Sequence, residues 1–495
     1  MKQIYIDYQS SNCKVAILEN RRLVEFWVER ESIGRLVGNI YKGKVTNVLP
    51  GMEFAFVNMG LERNGFLYAG DVLGCEEAKS ATAKILKLKV GDELLVQVVK
   101  DQFGNKGARI SMNITLPGRG LVLMPQIDYI GVSRKIKDEN KKQELLEFIE
   151  KHKKEGQGYI VRTQAIDCTE EELLQEMQEL SDKWELIKEM SLRKPSSSLI
   201  YKEEGLAIRA VRDMLRSDVD EIIINNERVY QELIEAFPHV YNENPNLFKL
   251  NVDYPGVIAD KNISKQILSL LEKKVVLENG AYLVIDRTEA LTVIDVNTGK
   301  YVGERALEET VYETNRIAAI EIARQLRLRN IGGIIVVDFI DMEDPQHIQG
   351  VMQVLQQELD KDRIKTSLID MTPLGLVEIT RKKTRSMIED VMLQHCPYCD
   401  GDGYLLSDEA VAGLIKNDIQ MLFANDMNKS IIVRLAPSVF NRIFTYRIFE
   451  KECATIWANK RIYLIPDSDM HIEKYEIRGV NTSILDLPDQ AKLLY

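Results

Sequence analysis

Residues 281–339 limit the architecture of the chain more than any other segment. Residues 282–286 and 291–296 each read as a short strand, and the polar residues between them make a tight hairpin turn. A long helical pattern follows over about 304–329, with Leu307, Val311, Ala318, Ile322 and Leu326 in one apolar stripe. Asn330, Gly332 and Gly333 end it. Residues 334–339 are then an unbroken apolar run, the pattern of a strand buried on both faces. Strand, helix and strand in that order predict two parallel strands joined by a right-handed crossover. Asp344 and Pro345 then open another helix, as N-cap and first helical residue.

This unit places carboxylates. Strand alternation puts Leu291, Val293 and Asp295 on one face, and Asn297 continues it. Asp295 ends one strand and Asp338 ends the other, so a parallel crossover brings both acids to the same sheet edge. Two acids and an amide oxygen suit a hard cation such as Mg²⁺, which takes few carboxylates and often meets phosphate oxygens. Asp341 and Asp344, just downstream, suit an outer shell. The alternative is that each Asp serves only turn or cap chemistry.

The chain has 495 residues, enough for roughly three or four domains. Residues 3–7, 14–19 and 23–28 read as strands, and so do 38–45, 53–59, 65–68, 93–99 and 108–114. Five of these with glycine-bearing turns fit a small OB-type barrel. On 53–60, Phe54, Phe56 and Asn58 share one face, against Ala55, Val57 and Met59 on the other. Phe66 and Tyr68 alternate likewise with Leu67 and Ala69. An aliphatic interior leaves the aromatics outside, as stacking platforms for single-stranded bases, with Lys42, Lys44 and Lys106 to track a backbone. The alternative puts Phe56 and Phe66 in the core. Helices are predicted over 140–154, 169–193, 207–216 and 227–237, and strands over 158–163 and 219–224.

Lys plus Arg is 65 and Asp plus Glu is 76, a net charge of −11. A global basic footprint is absent, so any polyanion site is local or neutralised by metal ions. The basic run Arg381-Lys382-Lys383, with Arg385, reads either as a solvated face or as a phosphate holder, and Arg324, Arg327 and Arg329 suit a helix C-terminus. The longest apolar stretch, 331–337, is far short of the ~20 residues of a membrane span. The start shows no signal-peptide core, and six cysteines in so long a chain make no disulfide framework. A cytoplasmic protein is the expectation. Only Cys396 and Cys399 are closely spaced, which reads as a zinc half-site, or else as a redox motif or two unliganded cysteines. Zinc wants four ligands, supplied by a second copy of the chain or in part by His395.

Together these stretches resemble the ribonuclease E/G family of bacterial endoribonucleases. The resemblance rests on 39–45 (Asn-Ile-Tyr-Lys-Gly-Lys-Val), 55–57 (Ala-Phe-Val), 62–67 (Glu-Arg-Asn-Gly-Phe-Leu) and 104–108 (Gly-Asn-Lys-Gly-Ala). It continues through 289–297 (Glu-Ala-Leu-Thr-Val-Ile-Asp-Val-Asn), 322–329, 332–342 and 396–403 (Cys-Pro-Tyr-Cys-Asp-Gly-Asp-Gly). The match covers nearly the whole chain, least clearly after about residue 406.

The resemblance implies a multidomain α/β and β fold. Residues 1–34 and 204–270 would form a split RNase H-like domain, with an S1 (OB-type) barrel at 35–118 and a 5′-sensor region at 119–203 inserted. A DNase I-like catalytic domain would span 271–392, a zinc-link 393–405, and a small C-terminal domain 406–495. Asp295 and Asp338 would hold catalytic Mg²⁺ with Asn297 beside them. Phe56, Phe66 and Lys106 would bind RNA. Gly118, Val122, Arg134, Arg162 and Thr163 would take a 5′-monophosphate. Cys396 and Cys399 would share structural Zn²⁺ between subunits of a homodimer or a dimer of dimers. After Thr163 the chain departs from the family pattern with Gln164-Ala165-Ile166-Asp167, an acid that opposes phosphate binding. The implied activity is Mg²⁺-dependent cleavage of single-stranded A/U-rich RNA, in ribosomal RNA precursors and mRNA, leaving 5′-phosphate and 3′-hydroxyl ends. The rivals are a non-catalytic RNA-binding protein and a hydrolase of small phosphoesters.

Overall fold

A computed structural model describes the chain except residues 10, 11, 31–34, 73–87, 103–106, 216, 217, 255, 258, 300–306, 373, 425–427, 482–486 and 495. Lys106, and the predicted start of the long helix at 304, lie outside the described residues. Two compact units are present, Met1–Met392 and Leu393–Tyr495.

In the first unit, the strand Lys2–Gln9 pairs antiparallel with Asn12–Glu19, which pairs with Arg22–Arg30. Its other edge pairs parallel with Glu221–Ile224, which continues to Phe248–Leu250. One sheet is therefore built from both ends of the first 250 residues, and Ile4, Ile6, Val15, Ile222 and Leu233 fill its core. Between those ends, Ile40–Leu49, Phe54–Asn58, Gly65–Tyr68, Arg109–Ser111 and Glu93–Lys100 follow one another, and Ile40–Leu49 pairs back onto Glu93–Lys100 to close a barrel. Val45, Ala55, Val57, Leu67, Val96 and Ile110 fill its interior. A four-stranded sheet of Leu116–Pro117, Leu121–Met124, Gly158–Val161 and Ile130–Val132 packs against the helices Glu139–His152 and Glu170–Arg193. Thr169 caps the second helix with a reciprocal Glu172 capping box.

The six-stranded sheet holds Lys274–Val276, Tyr282–Arg287, Leu291–Asn297, Gly333–Asp338, Leu376–Arg381 and Thr366–Met371 in that order. Leu291–Asn297 and Gly333–Asp338 are parallel neighbours, as predicted, and the helix Leu307–Leu328 lies between them in sequence. Asp344 caps the next helix, Pro345–Asp360, accepting from the Gln346 N–H. Both helices contribute to one core with Ile294, Ile335, Val337 and Val377.

That core lies on one face only. Ile335 and Val337 are buried, whereas Ile334 is 53 % exposed and Val336 is half-buried. The expectation of a strand buried on both faces is therefore corrected. An all-apolar run lacks the polar alternation that normally marks a half-open strand, so its sequence gave no sign of the open side.

In the second unit, Ser430–Leu435 pairs parallel with Arg461–Pro466 and antiparallel with Tyr475–Val480. The helices Asp408–Ala424 and Pro437–Thr445 cover this sheet, burying Ile415, Ile419, Val433, Val439 and Leu464. Among the described residues, no helix is long and apolar enough to cross a membrane.

Candidate functional site

Asp295 and Asp338 are register partners on adjacent parallel strands, at the carboxyl end of each. Register partners share a face, and here it is the face the helices leave open; both acids are exposed. The Asn297 amide donates to Asp295 Oδ2 at 2.7 Å, fixing one carboxylate. Among the described residues, neither acid has a Lys or Arg in ion-pair range. Two carboxylates on neighbouring strands with no countercharge fit a divalent cation, and the set is all oxygen, as Mg²⁺ requires. Lys274 Nζ sits 3.7 Å over the ring of Tyr282, the register neighbour of Asn297.

Asn315, inside the long helix, holds the edge in place. Its Nδ2 donates to the Ile340 carbonyl at 2.8 Å and its Oδ1 accepts from the Ile340 N–H at 3.1 Å. This locks the chain two residues after Asp338. Asp344 is not free for an outer shell: it caps its helix and lies with Glu308 and His347 in one cluster. Asp341 is exposed close to the site strand.

The barrel carries the aromatic face outside. Phe56 and Phe66 are register partners with ring centroids 4.9 Å apart, and Phe54 adds edge contacts to Phe56 at 5.3 Å and to Phe66 at 5.7 Å. Both residues are half-buried and neither belongs to the barrel core, so the core alternative fails. Tyr68 extends the face, with the Arg109 guanidinium 4.9 Å above its ring. Arg109 also donates to Asp71 at 2.7 Å. Lys44 is exposed, but Lys42 is occupied: it pairs with Glu93 at 3.0 Å and donates to the Lys194 carbonyl.

The five residues expected at a 5′-phosphate come together around one sheet end. Ile130–Val132 and Gly158–Val161 are parallel, so Ser133–Arg134 and Arg162–Thr163 emerge side by side, and the two hydroxyls of Ser133 and Thr163 lie 3.4 Å apart. Val122 pairs with Ile160 on the adjoining strand. Arg162 donates to the Gly118 carbonyl at 2.6 Å, and a side chain at Gly118 would run into the Glu176 carboxylate. Arg134 is exposed.

Arg162 is engaged by Asp213, at 2.7 Å, an acid distant in sequence from the Asp167 that the sequence singles out as opposing phosphate binding. Burial pushes the Asp213 carboxyl up, but Arg162 and Arg212 outweigh it and hold the group below its usual range. Glu176 behaves oppositely: burial raises it, against backbone N–H donors led by Gly120. Asp213 and Glu176 were not expected from the sequence. Neither lies near Arg162 or Gly118 along the chain, and no spacing rule links them.

Cys396 and Cys399 lie in a turn, with Asp400 and Gly401 both at positive φ. No helix begins there, which removes the geometry of a redox motif. Backbone N–H groups of Cys399 and Tyr398 lower the Cys396 thiol below its ordinary value, and the Gly403 N–H donates to Cys399 Sγ at 3.3 Å. Sulfurs held as N–H acceptors on one turn suit thiolate ligands to a metal. Among the described residues, His395 does not converge with the two sulfurs into a three-ligand group.

The sequence model of the Ribonuclease E/G family matches residues 115–384, more than half of the chain. Ribonuclease G of Salmonella typhimurium is 38 % identical over 445 residues, covering 88 % of this chain and 91 % of that protein. Ribonuclease G of Escherichia coli K12 gives the same identity and coverage. Ribonuclease E of Synechocystis is 34 % identical over 404 residues, 81 % of this chain and 59 % of that longer protein. The acid pair, the barrel and these likenesses agree, and the chain belongs to the ribonuclease E/G family of endoribonucleases.

Proposed function

We propose that the chain cuts single-stranded, A/U-rich RNA internally, at a phosphate held against Asp295 and Asp338. One observation carries the reading: the two acids are register neighbours, both exposed and, among the described residues, both without a countercharge. Mg²⁺ bound there would supply Lewis-acid stabilisation of the reacting phosphate and a source of nucleophilic water. The chain's own residues do the rest. Asn297 orients Asp295 and presents its amide to the phosphate. Asn315 fixes the loop that follows Asp338. The Phe54, Phe56, Phe66 and Tyr68 face stacks bases and holds the strand, with Lys106 as its basic companion. Arg162, Thr163 and Arg134, with Gly118 and Val122, anchor a 5′-monophosphate once it displaces Asp213. Cleavage would leave 5′-phosphate and 3′-hydroxyl ends.

The domain partition proposed is the one the family resemblance implies, with ribosomal RNA precursors and mRNA as substrates in the cytoplasm. Zn²⁺ on Cys396 and Cys399 would join two chains into a homodimer, on which a dimer of dimers can build.

The test uses RNA labelled at its 3′ end, with either a 5′-monophosphate or a 5′-hydroxyl. Each is incubated with Mg²⁺, with EDTA, and with Asp338→Asn protein. Internal cuts that require both Mg²⁺ and Asp338 are expected, faster on the 5′-monophosphate. Tight binding without cutting under every condition would leave an RNA-binding protein.

A further inference from the structure

The basic run 381–385 splits into three fates. Arg381 is buried, paired with Asp362 at 2.7 Å and donating to Asn330 and Ile331. Lys382 and Lys383 are exposed. Arg385 turns inward: its guanidinium lies 4.1 Å over the ring of Trp27, at the wall of a cavity of about 350 Å³. That volume falls within the small-ligand range of roughly 300–1,000 Å³.

The cavity's acids are already used. Glu29 is paired with Arg209, Asp101 accepts from the N–H groups of Leu36 and Val37, and Asp390 is paired with Arg287. Glu25, outside it, takes the Trp27 indole N–H at 2.9 Å. Its cations are not used. Among the described residues, neither the Arg385 guanidinium nor that of Arg35, which also lines the cavity, has a hydrogen-bond or ion-pair partner. Burial, with Arg35 and Arg381 adding to it, pushes the Arg385 guanidinium down to about 10 against Glu25 and Asp213. It is still charged at neutral pH. The hydroxyls of Thr384 and Ser386 line the same wall and make no hydrogen bond among the described residues. Two arginines and two hydroxyl-bearing residues line a space in which, among the described residues, every lining carboxylate is engaged. Such a lining demands an anion with several acceptor oxygens.

We propose that the Trp27–Arg385 cavity is a phosphate-ester site, occupied by an internal backbone phosphate of the bound RNA. The proposal rests on the RNA reading above, and position argues for the strand. Leu36 and Asp101 adjoin the first and last long strands of the barrel, Ile40–Leu49 and Glu93–Lys100. Thr384–Ser386 follow Leu376–Arg381, a strand of the sheet that carries Asp338. The cavity is therefore walled by segments that flank the barrel and by the segment that leaves the sheet at its Gly333 end, opposite the acid pair, so both parts that the RNA reading assigns to the strand contribute to it. A free mononucleotide offers the same chemistry and is the competing source.

The experiment measures binding by the full chain in EDTA, so no RNA is cut. A short 3′-labelled RNA with a 5′-hydroxyl is titrated over a salt series against wild type, Arg385→Gln, Arg385→Lys and Arg35→Gln. The two Gln variants should each weaken RNA binding about three- to tenfold and flatten the log Kd against log salt slope by roughly 0.7, one single-strand phosphate contact. Arg385→Lys should keep the slope. Calorimetry with AMP and with inorganic phosphate distinguishes the source. AMP or phosphate binding that is lost in Arg385→Gln, with RNA slopes unchanged, would overturn the RNA assignment in favour of a free ligand. Unchanged slopes with no phosphate binding would overturn the site altogether. If Arg385→Gln melts early, Arg35→Gln decides, because the Arg35 side chain makes no hydrogen bond or ion pair among the described residues. Cleavage by wild type in Mg²⁺ is read separately: its absence would sink the nuclease reading and leave the binding result standing.

Discussion

Phe56 makes a contact that looks structural yet has no core beneath it. Its ring leans on Phe66 and Phe54, outside the barrel interior of Ala55, Val57 and Leu67. Phe56→Ala should therefore leave the melting temperature nearly unchanged while weakening RNA binding by about 1–3 kcal/mol, roughly five- to 150-fold. A protein that instead melts far earlier would return Phe56 to the core. Asp213 makes the opposite case, a residue whose charge is spent inside the protein. Its folded carboxyl lies below the unfolded value, so the stability it contributes is fully present above about pH 3.9 and lost as pH falls through the lower folded value. Asp213→Asn should cost about 1–2 kcal/mol at pH 7, and the gap to wild type should close in acid, as read by denaturant unfolding at both pH values. The same variant frees the Arg162 fork and should widen the rate advantage of 5′-monophosphorylated RNA. Residue by residue, the sequence displayed what periodicity can carry. Asp295, Asn297 and Asp338 follow from strand alternation, and Phe56 and Phe66 from the aliphatic face opposite them. Asp213 and Glu176 follow from nothing local, since each meets its partner only after the four-stranded sheet and the helices around it have assembled.

Elements are held by contacts of very different worth. Arg381 and Asp362 are 2 % and 4 % exposed, so each charge depends on the other for its solvation. Arg381→Ala would bury an unpaired carboxylate and strip Asn330 Oδ1 and the Ile331 carbonyl of their donor. A loss of about 3–5 kcal/mol is expected in urea unfolding, and a loss under 1 kcal/mol would show that water reaches Asp362. The Thr169 cap contributes less, on an exposed end: Thr169→Ala should cost about 1 kcal/mol. The sequence identified both parallel strands, the long helix and the Asp344 cap. It misjudged the strand Gly333–Asp338, because apolar side chains on both faces say nothing about which face a helix covers. The open face is the one that carries the proposed site: Ile334 and Val336 lead along it to Asp338, so the acid pair stands at the end of an uncovered apolar surface rather than in a buried slot.

A chain of net charge −11 that handles a polyanion must concentrate its cations. Here they are local: Arg162 and Arg134 at one sheet end, Arg109 beside the aromatic face, Arg35 and Arg385 around Trp27. Assembly follows a similar logic of incomplete local sets. The turn at Cys396 and Cys399 offers two sulfurs, and His395 does not join them. Structural zinc takes four ligands, and a two-fold axis doubles two into four without any further residue. A zinc held in the proposed way would tie two chains, so metal content and mass would change together. Cys396→Ser should abolish the zinc, expected at one ion per two chains, and shift the mass in light scattering from dimer toward monomer. The core of Val433, Val439 and Leu464 does not include the turn, so the helix content should persist. A chelator applied to wild type should reproduce the mass shift, and restored zinc should reverse it. A Cys396→Ser protein that stays dimeric at micromolar concentration with no zinc would place the subunit contact elsewhere and leave the two thiols without a structural role.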